Sequence, residues 1–287
     1  MAINPLPSDS IRPHQPIGEL LTESARLTEH DVKRVLAYQR KRGLRFGEAA
    51  RSLGLVTAED VQQALSRQFS YPYVRRGESG MHPMLISAYQ PFGAGAEAFR
   101  MLRSQLMLRW FDKGRKVLAV GSPRTGTGSS TLAANLAVSF AQLGERTLLL
   151  DANFRNPAQH ALFGMSAETG LADVLLGRSS VDKSIVSIAQ LNGLAVLCAG
   201  PIPPNPHELL SSRAMQYLLE LAREIYDIVI IDAPPVLEYA DAQMIASRAG
   251  GYVLVTRRHR TRLADVLAVQ ERLEPSGATL LGAIVNE

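Results

Sequence analysis

Apolar positions change their rhythm partway along the chain. In residues 17–68 they recur at the three-and-four spacing of amphipathic helices, as in "VKRVLAYQ" and "VQQALSRQ". Further on, the spacing gives way to uninterrupted apolar runs: "KVLAVG", "RTLLLDA", "LAVLCAG", "DIVIIDA", "GYVLVT" and "LLGAIVN", mostly separated by segments of helical pattern. Runs that are apolar at every position suit strands buried on both faces. The second region therefore predicts an α/β fold, a doubly wound and mostly parallel sheet with helices on both sides. The first region predicts a small all-helical domain. Between them, "YVRRGESGMHPMLISAYQPFGAG" breaks any period with Gly, Pro and charge. The expected organisation is a helical domain over 1–74, a linker over 75–95 and an α/β domain over 96–287.

The helical region is an internal repeat. "IGELLTESARLTEHDVKRVLAYQ" (17–39) superimposes on "FGEAARSLGLVTAEDVQQALSRQ" (46–68) at a constant offset, pairing Gly18 with Gly47, Glu19 with Glu48, Thr28 with Thr57, Asp31 with Asp60 and Gln39 with Gln68. Thr28 and Thr57, each followed three residues on by an aspartate, read as helix N-caps, because a hydroxyl accepts from an otherwise unpaired amide there. The pattern resembles the N-terminal domain of type II secretion and pilus-assembly ATPases, some of which bind cyclic di-GMP. The second copy keeps Arg45, Gly47, Gly54 and Gln68 of that pattern but has Ala50 where leucine is usual. The first copy has Pro16 in place of the arginine and Ala25 in place of the second glycine. An arginine fork stacks on guanine and pairs with phosphate, and a glycine lets a ring approach the backbone. Two readings stand: a docking module whose spacing is that of a helical core, or a cyclic di-GMP site at Arg45, Gly47, Gly54 and Gln68.

Candidate chemistry lies at the ends of the predicted strands, where doubly wound folds bind ligands. The first strand runs into "GSPRTGTGSSTLAANLA" (121–137), which has the layout of a phosphate-binding loop: Gly126 and Gly128 at the bends, Ser130 and Thr131 at the start of a helix that Gly144 can stop. Backbone amides over Arg124, Thr125, Gly126, Thr127, Gly128, Ser129, Ser130 and Thr131, with the positive helix end, make an anion cradle. The Ser130 hydroxyl can ligate Mg²⁺. A serine, Ser129, stands where such loops carry a lysine. The second strand ends on Asp151, with Asn153 beyond it, and the fourth on Asp232, followed by Pro234 and Pro235.

These signatures, in this order, resemble the bacterial tyrosine kinases, relatives of the cell-division and partition ATPases. The resemblance assigns Asp151, Asn153 and Arg155 to an acidic second motif and Asp232 to a Walker B motif. "EAFRMLR" places Glu97, Arg100 and Arg103 at the spacing through which these kinases assemble into rings, and predicts one shared helix face. With the repeat in front, the whole chain resembles the chain-length-determinant kinases of the EpsG type from exopolysaccharide gene clusters. That resemblance implies a P-loop NTPase that binds ATP or ADP with Mg²⁺ and transfers phosphoryl groups to protein tyrosines. Asp151 would be the base, with Ser130, Asp151 and Asp232 around the metal. It also implies a homo-oligomer in the cytoplasm, peripheral to the inner membrane through a polysaccharide co-polymerase whose tail activates it.

The departures from that pattern set the functional question. Phosphoryl transfer depends on positioning and charge, so replacing the loop lysine by Ser129 lowers the expected rate roughly 10²- to 10³-fold, by analogy with losing one transition-state donor. Arg124, at the position of the partition ATPases' signature lysine, is a candidate to compensate. No tyrosine follows Tyr252 in this sequence, so autophosphorylation on a tyrosine-rich tail of the kind the family carries is not expected from it, and the run "RRHRTR" (257–262) is either a solvated face or a contact for phosphate or an acidic partner. An active kinase and a nucleotide-binding scaffold without catalysis both remain open; a partition-type positioning ATPase ranks behind them. The excess of 31 Lys and Arg over 27 Asp and Glu is too small to predict nucleic-acid binding. One cysteine, Cys198, excludes an internal disulfide framework and reads as a small buried side chain in a reducing compartment. The N-terminus lacks a signal-peptide pattern and no long apolar stretch occurs, so any membrane link is expected to run through a partner.

Overall fold

A computed structural model describes residues 15–287 apart from Ala25, Ser70, Arg76 and Glu78. The expectations for residues 1–14 and for Ala25 lie outside the described residues. Contacts cluster into two compact units that divide between Tyr73 and Val74.

The first unit holds four helices: α1 (Ile17–Glu23), α2 (Glu29–Arg42), α3 (Phe46–Ser52) and α4 (Ala58–Gln68). Both expected caps form. Thr28 and Thr57 each accept from the amide of the aspartate three residues on, and that carboxylate accepts from the threonine's own N–H. Leu20, Leu21, Leu27, Val35, Ala49 and Ala50 form a small core of their own.

The second unit is a seven-stranded sheet: β1 (Val117–Gly121), β2 (Thr147–Asp151), β3 (Val186–Ser187), β4 (Leu194–Leu197), β5 (Ile228–Asp232), β6 (Gly251–Arg257) and β7 (Thr279–Asn286), in the order β3-β4-β2-β5-β1-β6-β7. All pairings are parallel except β3 with β4. The doubly wound α/β reading holds, and the continuous runs explain it. β1, β2, β4 and β5 are buried at every position, with one apolar core on each face of the sheet.

Residues 75–95, expected to be a linker, instead belong to this unit. Leu85 and Ala88 are fully buried in its core. A short helix α5 (Ile86–Tyr89) and its approach are pinned by side chains of α7 (Ser129–Ala141): Asn135 accepts from Ser87 N–H and donates to Met84 O, and Gln142, just past α7, donates to Ser87 O. Helix α6 (Ala94–Arg109) follows and packs on α7.

Candidate functional site

The loop after β1 is shaped by two glycines and fastened by three other segments. Gly126 and Gly128 have φ of +87° and +86°, and a Cβ on Gly128 would lie 2.5 Å from Asn286 Nδ2. Both the backbone region and the close approach demand glycine there. Asn286 at the end of β7 donates to Thr127 O (2.8 Å), and Arg257 at the end of β6 donates to Gly126 O (3.1 Å). Glu238 accepts from Thr125 N–H (3.0 Å) and its hydroxyl (2.8 Å), and Ser122 donates to Arg124 O. α7 then starts at Ser129 with no side-chain cap, leaving its first-turn amides without partners inside the helix.

Beneath the loop, β2 and β5 pair so that Asp151 stands opposite Asp232, both fully buried. Asp151 accepts from the amides of Asn153 (3.2 Å), Ala158 (3.1 Å) and Gln159 (3.0 Å). Desolvation nevertheless outweighs those bonds and pushes its carboxyl up to about 6. Asp232 is pushed up to about 8 by desolvation first and by the Asp151 charge second, against hydrogen bonds from Gln159 and Ser130. Gln159, opening α8 (Gln159–Phe163), ties the two sides together. Its Nε2 donates to Asp232 Oδ2 (2.8 Å) and to Ser130 O (3.1 Å).

Ser130, Asp151 and Asp232 are therefore brought together below the loop. Asn153 is buried, but its Oδ1 accepts from Asn156 N–H in a local turn. Arg155 is committed to Asp241 (2.9 Å) and stacks on Tyr239. Arg124, the expected substitute cation, is engaged by Asp265 at 3.0 Å.

The expectation of one face for Glu97, Arg100 and Arg103 is corrected. Arg103 is 8% exposed and donates to Ser139 O of α7 (2.6 Å), whereas Arg100 binds Glu97 and Pro91 O. Six residues at about 100° each leave Arg103 roughly 120° around α6 from Glu97. Tyr252 is also inside the fold, with its hydroxyl unpartnered near Gly121. Cys198 is buried, and burial pushes its thiol up to about 12.

In the first unit the motif glycines serve the backbone. A Cβ on Gly47 would lie 2.7 Å from Val61 Cγ1, so α3 and α4 cross there only because the side chain is absent. Gly54 has φ of +68° in the turn after α3. Arg45 is exposed, its amide donating to Glu48, and Gln68 closes α4. An open groove on the first repeat is bordered by Glu19, Glu23 and Glu29, charges that disfavour a dianionic dinucleotide.

Gln159, Glu238, Arg257 and Asn286 escaped the sequence reading. Only Arg257 carried a signal, as the first residue of the basic run.

The residues present fit a nucleotide and its metal. The uncapped α7 amides and the loop suit phosphate, while Asp232 Oδ1 and Thr127 Oγ1 are buried with no hydrogen-bond partner. Among the described residues no group of three or more His, Cys, Asp or Glu could hold a metal by itself. Mg²⁺ there needs the phosphate oxygens as further ligands.

Comparison with known proteins bears on the family. The AAA domain family matches residues 115–262. Tyrosine-protein kinase YwqD of Bacillus subtilis is 40% identical over 208 residues, covering 72% of this chain and 87% of that protein. The putative tyrosine-protein kinase EpsB of Ralstonia solanacearum is 34% identical over 231 residues, which are 80% of this chain and 30% of EpsB. The solved kinase domain of the Escherichia coli tyrosine kinase ETK superimposes with a TM-score of 0.70 at 32% identity, covering 74% of this chain and 84% of that one.

Proposed function

The chain belongs to the bacterial tyrosine-protein kinases, and from that membership we propose that it binds ATP with Mg²⁺ at residues 124–131 and transfers phosphoryl groups to tyrosine at a rate lowered by Ser129. The observation that carries this reading is the convergence, at one mouth of the sheet, of a loop of amides, an uncapped helix N-terminus and two buried carboxylates.

The loop amides and the α7 N-terminus bind and orient the phosphates. Asp151, raised to about 6, is near the operating pH and suited to accept the proton of an incoming tyrosine hydroxyl. Ser130 and Asp232 hold the metal, which supplies charge neutralisation to the phosphate oxygens when bound. Gln159 fixes the Asp232 carboxylate relative to Ser130. Ser129 offers a hydroxyl where a cation is needed, and the deficit is roughly 10²- to 10³-fold in rate.

The same reading places the protein in the cytoplasm, in exopolysaccharide chain-length control, where the tail of a membrane co-polymerase activates it. Self-association uses the side of α6 that carries Glu97 and Arg100. The front unit serves as a docking module.

A second reading, a nucleotide-binding scaffold without catalysis, draws support from Ser129 and from the tyrosines. Of the eight in the chain, only Tyr217 is exposed, at 67%. Incubation with ATP and Mg²⁺, with and without the co-polymerase tail, followed by phosphotyrosine detection, separates the two. Signal that vanishes in Asp151→Asn supports transfer. A silent wild type beside an active Ser129→Lys variant supports the scaffold. Absence of ATP binding at millimolar concentration removes both.

A further inference from the structure

The basic run at the end of β6 is built as part of the loop's wall. β6 lies beside β1 in the sheet, with Gly121 in register with Leu254, so residues just past β6 reach the loop that follows β1. Arg257 uses one guanidinium donor on Gly126 O (3.1 Å). A guanidinium has five donors in a fixed plane, so four remain for another partner. Arg260 lines the same cavity of about 140 Å³, together with Arg124, Gly126 and Thr127.

The turn that presents these arginines is held in a specific shape. Thr261 Oγ1 accepts from Arg257 N–H (2.8 Å), and the amides of Arg260 and Thr261 both donate to Arg257 O. His259 has φ of +60°, the one non-glycine residue with positive φ among the described residues. A left-handed residue other than glycine is uncommon, and such conformations concentrate at functional sites. The ordinary alternative, a solvated basic face, requires neither the bond to the loop nor this turn.

The three arginines at the loop are not equivalent. Arg124, the residue that sequence order favours, is neutralised by Asp265. Arg257 and Arg260 have no ion pair among the described residues. We infer that Arg257, supported by Arg260, supplies the positive charge that the loop lacks at Ser129, and that its ligand is the polyphosphate of a nucleoside di- or triphosphate. The inference rests on the nucleotide reading above and names the cation that makes such binding workable.

The test is displacement of fluorescent N-methylanthraniloyl-ADP from the full chain by ATP, ADP and adenosine, in the presence of Mg²⁺. Losing a charge-assisted contact weakens binding about 10- to 100-fold. Arg257→Ala is expected to lose that factor for ATP and ADP while adenosine affinity stays unchanged. Arg257→Gln, which can still donate to Gly126 O but carries no charge, is expected to lose a similar factor with an unaltered melting temperature. Arg260→Ala is expected to show a smaller loss confined to the phosphorylated ligands. The inference is overturned if Arg257→Gln binds ATP as the wild type does, or if ATP and adenosine weaken by the same factor, the mark of a merely loosened loop. A wild type that fails to bind the probe at millimolar concentration overturns the nucleotide reading itself, an outcome distinct from either.

Discussion

Replacing Asp232 by asparagine should remove much of the pH dependence that the buried acid pair gives to stability. Asp232 and Asp151 face each other with no exposure to water, and burial raises them to about 8 and about 6 from an ordinary 3.8. A carboxyl whose folded pKa is raised binds protons in the native state that the unfolded chain has already released. The pair's contribution is therefore complete below the unfolded pKa and is lost as pH rises from about 4 toward 8. Each proton so retained lowers stability by about 1.4 kcal/mol per pH unit. One retained proton between pH 6 and pH 8 gives a loss on the order of 2–3 kcal/mol. Asparagine keeps the carbonyl oxygen that accepts from Gln159 Nε2 and has no proton to release. Urea denaturation at pH 5, 6, 7 and 8 with EDTA present should show the variant gaining on the wild type steadily up to pH 8. Parallel curves, or a variant that falls behind as pH rises, would refute the argument that desolvation dominates this pair.

Four further outcomes are expected. Ser129→Lys should raise phosphotransfer roughly 10²- to 10³-fold, read by phosphotyrosine formation under single-turnover conditions. Arg103→Ala should destabilise the second unit by about 1.5–3 kcal/mol in denaturant melts, because it removes a buried charged donor from Ser139 O. Arg100→Ala, which removes a half-buried donor from Pro91 O, should destabilise that unit by about 0.5–1.5 kcal/mol in the same melts and weaken self-association measured by light scattering. Gly47→Ala should destabilise the first unit by about 1–3 kcal/mol in its own melting transition, since the added methyl meets Val61 Cγ1 at 2.7 Å.

What the sequence made legible follows from the range of the forces involved. Strands β1, β2, β4, β5 and β6 announce themselves because burial on both faces makes each a local apolar run, β7 keeps such a run although it is partly exposed at the sheet edge, and the caps at Thr28 and Thr57 need only three residues. β3 is two exposed residues on an antiparallel edge and leaves no such trace. Residues 75–95 looked like a linker because their order comes from elsewhere. Asn135 and Gln142 hold Met84 and Ser87 from about fifty residues away. The site shows the same division. Asp151, Asp232 and Ser130 could be read because each sits at the end of its own strand or loop. Arg257, Asn286 and Gln159 reach the loop only through strand order and side-chain reach, which no window of sequence displays.

The charge pattern at the mouth follows from the same placement. With no lysine in the loop, the amides and side chains bonded to the two buried carboxylates do not offset desolvation, which favours their protonated forms. Arg155 and Arg124 cannot supply the charge, because Asp241 and Asp265 already hold them. On the proposed reading, a bound triphosphate would meet the positive charge of Arg257 at the end of β6, and Ser130 and Asp232 would hold its metal. Catalysis by this chain depends on whether an arginine on the rim can do for a migrating phosphoryl group what a lysine does from within the loop. Comparing Arg257→Gln in the wild-type and Ser129→Lys backgrounds answers this. If the two cations do the same work, the loss on removing Arg257 should shrink once the lysine is present, and equal losses in both backgrounds would mean that they act independently.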